Sequence, residues 1–184
     1  GEEYGEPRPF LYFISHGDPA LIEGVREGRR KEFAAFHAEG EAPDPQAEAT
    51  FEASKLQWDL GKAGRHGQLR AFYRELLRLR RELPALARLD NASLTATLIA
   101  PTVLELRRWC DDDRIVVWMN FAAAPATAAV APGAGSWCKQ LDAGDSAWDG
   151  DGSSLPVQLA DGALPERLTL PPYAVVLYAA GVPA

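Results

Sequence analysis

The chain has 184 residues, 24% of them Asp, Glu, Lys or Arg, a formal net charge of -7 and a pI near 5.0. That length allows one or two domains with a real core, while the acidic balance argues against nucleic acid and anionic membrane surfaces, which need clustered Lys and Arg. No apolar run approaches the ~18 residues of a membrane-spanning helix, and Cys110 and Cys138 are two isolated thiols, which fits a reducing cytoplasm better than a disulfide scaffold and leaves their pairing open.

The chain opens on Gly1-Glu2-Glu3-Tyr4-Gly5-Glu6, and its single methionine is Met119. It is therefore expected to be part of a longer polypeptide. The first ~60 residues, rich in Gly, Pro and charge, read as a long and partly helical excursion. Within it, Asp18-Pro19 supplies a cap and a first-turn proline, and Leu21, Ile22, Val25 and Phe33 recur near helical period. This predicts a helix from about Pro19 to Phe36. Glu39 to Thr50, broken by Pro43 and Pro45, reads as an exposed loop. The stretch from Phe51 to Trp58 is expected to bring an aromatic side chain back onto the protein.

From His66 to Leu83 the residues Leu69, Phe72, Tyr73, Leu76, Leu77 and Leu83 form an apolar stripe, with Arg70, Arg74, Arg78 and Arg81 on other faces. An amphipathic helix of about five turns follows, ended by Pro84 and in need of a partner surface. After Leu89 the pattern changes to short runs of β type. They are Leu94 to Ile99, Val103 to Trp109, Arg114 to Phe121, Ala126 to Ala131, Ser136 to Leu141, Leu155 to Leu159, Arg167 to Leu170 and Tyr173 to Ala179. Turns are signalled by Asp111-Asp112-Asp113, Pro132-Gly133-Ala134-Gly135 and Asp149-Gly150-Asp151-Gly152. Ile115 to Met119, apolar on both faces, reads as a central strand, and Thr95 and Thr97 alternating with Leu94, Ala96 and Leu98 as a strand with one solvated face. The spacing predicts a small antiparallel sandwich.

Three features occur in the order found in the α-amylase superfamily. The opening Gly1-Glu2-Glu3-Tyr4-Gly5 resembles the exit of its eighth barrel strand, His66 to Arg81 resembles its last barrel helix, and the β segment resembles its C-terminal domain, with Asn120-Phe121 after the central strand and Leu170-Pro171-Pro172-Tyr173 before the last. Phe10-Leu11-Tyr12-Phe13, His16-Gly17-Asp18-Pro19, Val25 to Phe33 and Pro43-Asp44-Pro45-Gln46 further resemble the malto-oligosyltrehalose trehalohydrolase family, with Gly17 departing from the usual wording. The resemblance implies an α/β plus all-β chain. Residues 1–88 would be the end of a (β/α)8 barrel with its loop excursion, and residues 89–184 an antiparallel β-sandwich. The implied activity is release of trehalose from maltooligosyl trehalose by hydrolysis of the adjacent α-1,4-glucosidic bond. The implied partners are that α-glucan substrate and the remainder of the barrel. A branching or debranching relative, or a non-catalytic starch-binding sandwich, is the alternative.

Glycoside hydrolysis needs two carboxyl groups flanking the scissile bond. The resemblance places them upstream of Gly1, so no catalytic residue is assigned here. On a strand the adjacent Glu2 and Glu3 point to opposite faces and cannot grip one bond, so both are read as structural. Glu3, Tyr4 and Asp18 are kept as substrate-binding candidates: Glu3 and Tyr4 flank the strand exit, and His16 and Asp18 would lie at a barrel mouth. Asp18 is more simply read as a helix cap, and the aromatics Phe10, Tyr12 and Phe13 as packing. His37 and His66 have no ligand at metal spacing, and Asp149 to Ser153 lacks the Gly and Glu of a calcium loop, having Ser154 and Ala160 instead. No metal or cofactor is assigned. Among the tryptophans Trp118 reads as core, while Trp137 and Trp148, near turns, are candidates for a sugar-binding surface.

Overall fold

The computed structural model describes residues 1–35, 42–131, 133–160 and 167–181. It divides into two compact units, Gly1–His66 and Gly67–Ala184. The expected helix over residues 19–36 is α1, Pro19–Ala35, with Phe36 and His37 outside the described residues. Asp18 Oδ1 accepts from the Ala20 and Leu21 amides at 2.8 and 3.4 Å, the cap that Asp18-Pro19 predicts. The expected loop ending at Thr50 instead gives way to a second helix, α2, Glu48–Ser54, and Thr50 is buried with its hydroxyl donating to the Asp44 carbonyl at 2.6 Å. In the stretch from Phe51 to Trp58 the aromatic that packs is Phe51, whose ring meets Phe13 edge-on, while Trp58 stands 68% exposed.

Helix α3, Gly64–Glu82, leads into the second unit and is followed by the short α4, Pro84–Ala87, which has proline in its first turn. Every predicted β run contains a strand. These are β1 Leu94–Ala100, β2 Val103–Cys110, β3 Asp113–Asn120, β4 Ala126–Ala129, β5 Trp137–Asp142, β6 Gln158–Leu159, β7 Arg167–Leu170 and β8 Val175–Ala180. Six form one antiparallel sheet in the order β1-β2-β3-β8-β5-β6, and β4 and β7 form a second, two-stranded sheet. The period of 2 sends alternate residues to opposite faces. From β3 and β8, Val116, Trp118, Val176 and Tyr178 pack against Ala128, Leu168 and Leu170 of the small sheet, together with Trp137, Leu155 and Leu159. Their neighbours Ile115, Val117, Leu177 and Ala179 face the helices and meet Leu79, Leu83 and Ala85. That is why β3 is apolar on both faces.

The helix stripe needs a correction. Leu79, outside the predicted stripe, is 1% exposed, whereas Leu77 is 57% exposed. At 100° per residue Phe72, Leu79 and Leu83 share one line, and Tyr73 and Leu77 lie progressively round the helix. The apolar arc is wide, and the sheet covers one edge of it. The expected solvation of β1 also differs. Residues 95–98 are exposed on both faces, including Leu98 at 64%, because β1 is the edge strand of the sheet.

The buried polar side chains Glu105, Asn120 and Asp142 of the sandwich are satisfied, whereas Arg108 Nε on β2 is buried without a partner among the described residues. Glu105 accepts from Trp118 Nε1 at 2.9 Å and from Arg107 Nε at 2.6 Å. Asn120 Nδ2 donates to the Ala124 and Pro171 carbonyls at 2.9 and 2.8 Å, and its Oδ1 accepts from the Thr102 hydroxyl and the Ala122 amide, both at 3.1 Å. Asp142 accepts from the Gly144 amide at 2.9 Å, from the Lys139 ammonium at 3.4 Å and from the Ser153 hydroxyl. These bonds hold the turn that the sequence marks at residues 149–152, where a Cβ added to Gly150 would overlap the Gly144 backbone. Cys110 and Cys138 are free thiols. Trp137 is 2% exposed and Trp148 half-buried against Phe72, centroids 5.6 Å apart. Of the two tryptophans offered as candidates for a sugar-binding surface, Trp137 is therefore enclosed and Trp148 partly covered.

Candidate functional site

The sequence candidates Glu3 and Tyr4 fall in a tight turn of the first unit. Glu2–Tyr4 form one 3-10 turn closed by Gly5 at φ 68°, so the strand geometry used to separate Glu2 from Glu3 does not apply. Glu3 is part-exposed, and Tyr4 is 2% exposed with Gly61 against its ring, where an added Cβ would lie 3.1 Å from the ring carbon. The Tyr4 hydroxyl donates to Glu6 Oε2 at 3.0 Å, and the Tyr4 carbonyl accepts from His66 Nδ1 at 2.6 Å. That hydrogen bond fixes the proton on Nδ1, and it places His66 in the first turn of α3, as expected from the sequence.

The centre of this turn is Glu6, which sequence reasoning did not single out. Its carboxylate accepts from the Gln57 amide at 2.6 Å, Gln57 Nε2 at 3.1 Å and the Arg8 amide at 3.0 Å, in addition to Tyr4. Desolvation alone would raise its pKa. The donors of Gln57, Arg8 and Tyr4 outweigh that and hold the carboxyl at about 2. Desolvation by burial, then the hydrogen bond to Glu6, pushes the Tyr4 phenol up. No local pattern signals Glu6, since its chief partner is 51 residues away in sequence.

The segment after this turn is held by its backbone. The Leu11 amide donates to Ser54 Oγ at 3.3 Å and the Ile14 amide to the Pro45 carbonyl at 2.8 Å. His16 exchanges two bonds with Gln46, its amide to Oε1 at 3.3 Å and its carbonyl from Nε2 at 3.2 Å. Phe10, Tyr12 and Phe13 are exposed to 101%, 50% and 43%. They do not pack as the sequence reading expected, apart from the edge contact of Phe13 with Phe51 at 5.1 Å and the stacking of Arg29 over Tyr12, also at 5.1 Å. Asp18 is occupied as the α1 cap. A cavity of about 610 Å³ is lined by Arg26, Arg29, Arg30, Phe33 and Asp44. Its arginines are already paired, Arg26 bidentately with Asp44 at 2.8 and 2.9 Å, Arg30 with Glu23 at 2.9 Å and Arg29 with Glu32, so it presents little unpaired positive charge. Among the described residues no group of three His, Cys, Asp or Glu side chains is placed to hold a metal ion.

What the geometry of the described residues offers is a clamped turn followed by a segment of exposed aromatics. No family model matches the chain. The malto-oligosyltrehalose trehalohydrolase of Rhizobium sp. (strain M-11) is 41% identical over 126 residues, 68% of this chain and 21% of that enzyme. The chain is a relative of the malto-oligosyltrehalose trehalohydrolases. The Deinococcus radiodurans trehalohydrolase is 45% identical over 97 residues, 52% of this chain and 16% of its own, and the Saccharolobus solfataricus trehalohydrolase is 45% identical over 82 residues, 45% and 13%. The matches thus span about a fifth or less of these trehalohydrolases.

Solved structures agree on the scaffold. A Salmonella typhimurium protein solved as a candidate α-amylase matches 98% of this chain and 27% of its own, with a TM-score of 0.69 and 30% identity. The α-amylase of H. orenii, at 18% identity, matches 94% of this chain and 28% of its own with a TM-score of 0.50, which speaks for the fold alone. No helix among the described residues is long and apolar enough to cross a membrane.

Proposed function

We propose that this chain is the C-terminal portion of a glycoside hydrolase that releases trehalose from maltooligosyl trehalose by hydrolysing the adjacent α-1,4-glucosidic bond. The identity of 41% over 126 residues to a trehalohydrolase carries the reading. On it, residues 1–88 are the last strand exit, excursion and last helix of a (β/α)8 barrel, and residues 89–184 the C-terminal sandwich. The carboxyl pair required for the reaction lies in the part of the barrel that precedes Gly1, and the chain by itself is inactive. The exposed Leu77 and the displayed Phe10, Tyr12 and Phe13 are what a barrel wall would cover. Glu3 and Asp18 stay at the mouth, Glu3 as a part-exposed carboxylate and Asp18 through the helix it caps, while Tyr4 acts from within the clamped turn. Two free thiols suit the cytoplasm.

The test is to incubate the intact protein with maltooligosyl trehalose and resolve the products. Free trehalose is expected. Release of linear maltooligosaccharides alone, or glucan transfer without hydrolysis, sinks the reading in favour of a branching or debranching relative.

A further inference from the structure

One end of the sandwich carries two large side chains in an arrangement that folding alone does not favour. Tyr173 has φ 52°, the left-handed region, which is unfavourable for a residue with a Cβ and is usually left to Gly or Asn. It sits in the turn Pro171-Pro172-Tyr173-Ala174, closed by the Ala174 amide on the Pro171 carbonyl at 3.3 Å, at the position where such turns favour glycine. The ring gains no burial in return, being 67% exposed. Beside it, Phe121 is 64% exposed, and the Tyr173 amide donates to the carbonyl of the next residue, Ala122, at 3.0 Å. The fully bonded Asn120 fixes both segments, since its side chain binds Ala122 and Ala124 on one and Pro171 on the other. An outlier held this firmly, with its side chain in solvent, points to use of that side chain.

We infer that Phe121 and Tyr173 form a surface platform that stacks on the sugar rings of an α-1,4-glucan chain. The neighbours of the pair in sequence, Ala122, Ala123, Ala124, Pro125 and Pro172, carry no charge, which suits a neutral ligand with apolar C–H faces. The platform also sits at a telling end of the sheet. The Ala85 amide donates to Asp113 Oδ2 at 2.6 Å, which places the far end of α3 at the start of β3. Phe72, in its first half, packs on Trp148, in a turn tied by the Ala143 amide to the Val175 carbonyl at 2.9 Å. The first half of α3 and the platform therefore lie at the same end of the sheet. In a (β/α)8 barrel the helices start at the face that carries the active site, so the platform would look out on the side from which a long glucan emerges. The choice of α-glucan as ligand rests on the function proposed above.

The experiment is native affinity electrophoresis of the 184-residue chain in gels with and without glycogen, alongside the single variant Tyr173→Gly and the double variant Phe121→Ser/Tyr173→Gly, with thermal melts of each. The wild type is expected to be retarded by glycogen, Tyr173→Gly to bind roughly tenfold more weakly, the scale of one lost stacking ring, and the double variant to run as in the glycogen-free gel. Because glycine relieves the left-handed strain, Tyr173→Gly should melt at or above the wild-type temperature, which separates lost binding from lost folding. Absence of retardation in the wild type, or equal retardation of all three proteins, overturns the inference. So does a concentration-dependent rise in mass that Tyr173→Gly abolishes without any glycogen effect, since the pair would then be a protein interface. Failure of the intact enzyme to release trehalose would remove the proposed activity but leave the gel result standing.

Discussion

Helix α3 offers a direct comparison between two leucines two positions apart. Leu79 is 1% exposed among Leu83, Ala85, Ile115, Val117, Leu141, Leu177 and Ala179, whereas Leu77 is 57% exposed. Leu79→Ala removes three carbons from a closed cluster. At ~0.8 kcal/mol per methylene that is ~2.4 kcal/mol of transfer free energy, and a cavity only partly closed by its neighbours raises the cost to about 3–4 kcal/mol. For a unit of this size the melting temperature should fall by roughly 10–15 °C. Leu77→Ala should change stability in the 184-residue chain by less than about 0.5 kcal/mol, as for most exposed substitutions. Urea unfolding followed by circular dichroism measures both. Equal costs at the two positions, or a Leu79→Ala variant indistinguishable from wild type, would refute the packing described here. Repeating Leu77→Ala in the intact enzyme tests the barrel reading, because a leucine covered by neighbouring helices should then cost ~2 kcal/mol or more. A value near zero there as well would count against it.

Other expectations follow from single groups. Asn120→Ala strands the Ala124 and Pro171 carbonyls, each worth about 1–3 kcal/mol if left unpaired, so a loss of ~2–4 kcal/mol and faster hydrogen exchange at Ala122 and Tyr173 are expected; a loss below ~1 kcal/mol would show that water replaces the clamp. Gly150→Ala forces the turn against the Gly144 backbone, so it should open residues 142–153 to limited proteolysis, and unchanged cleavage would contradict the close approach. Glu6, with its ordinary value of 4.5 lowered to about 2, contributes stability that is fully present above pH ~4.5 and fades as pH falls towards 2. Carbon-detected NMR titration of its carboxyl should show that low midpoint, and Glu6→Gln should flatten the acid limb; a midpoint near 4.5 would remove Glu6 from its role as organiser of the turn.

Periodicity and turn chemistry made most of the secondary structure legible. The Asp18-Pro19 cap, the eight β runs and the doubly apolar Ile115 to Met119 follow from local rules, because side-chain spacing and backbone stereochemistry act within a few residues. The family resemblance was carried by strings such as Val25 to Phe33 and Pro43-Asp44-Pro45-Gln46, and it agrees with the similarity to trehalohydrolases. Local pattern could not say which part of the apolar arc of α3 would be covered. Leu69 to Leu83 look alike in sequence, and packing against Ile115, Val117, Leu177 and Ala179 of the sheet selects Leu79 and Leu83. It likewise failed to separate buried from open aromatics, for Trp137 beside a glycine turn is enclosed while Trp58 and Tyr173 stand out.

What the sequence by itself determined is therefore the long helices, the β runs and their order, since these depend on interactions among near neighbours along the chain. The short helix α2 and the opening 3-10 turn were not legible there. The tertiary structure decided the rest: that Glu6 would find Gln57 across 51 residues, that Asn120 would join two turns, and that Tyr173 would be held in a left-handed conformation with its ring in solvent. Each depends on segments far apart in sequence meeting within hydrogen-bonding distance, and only the folded backbone fixes those separations.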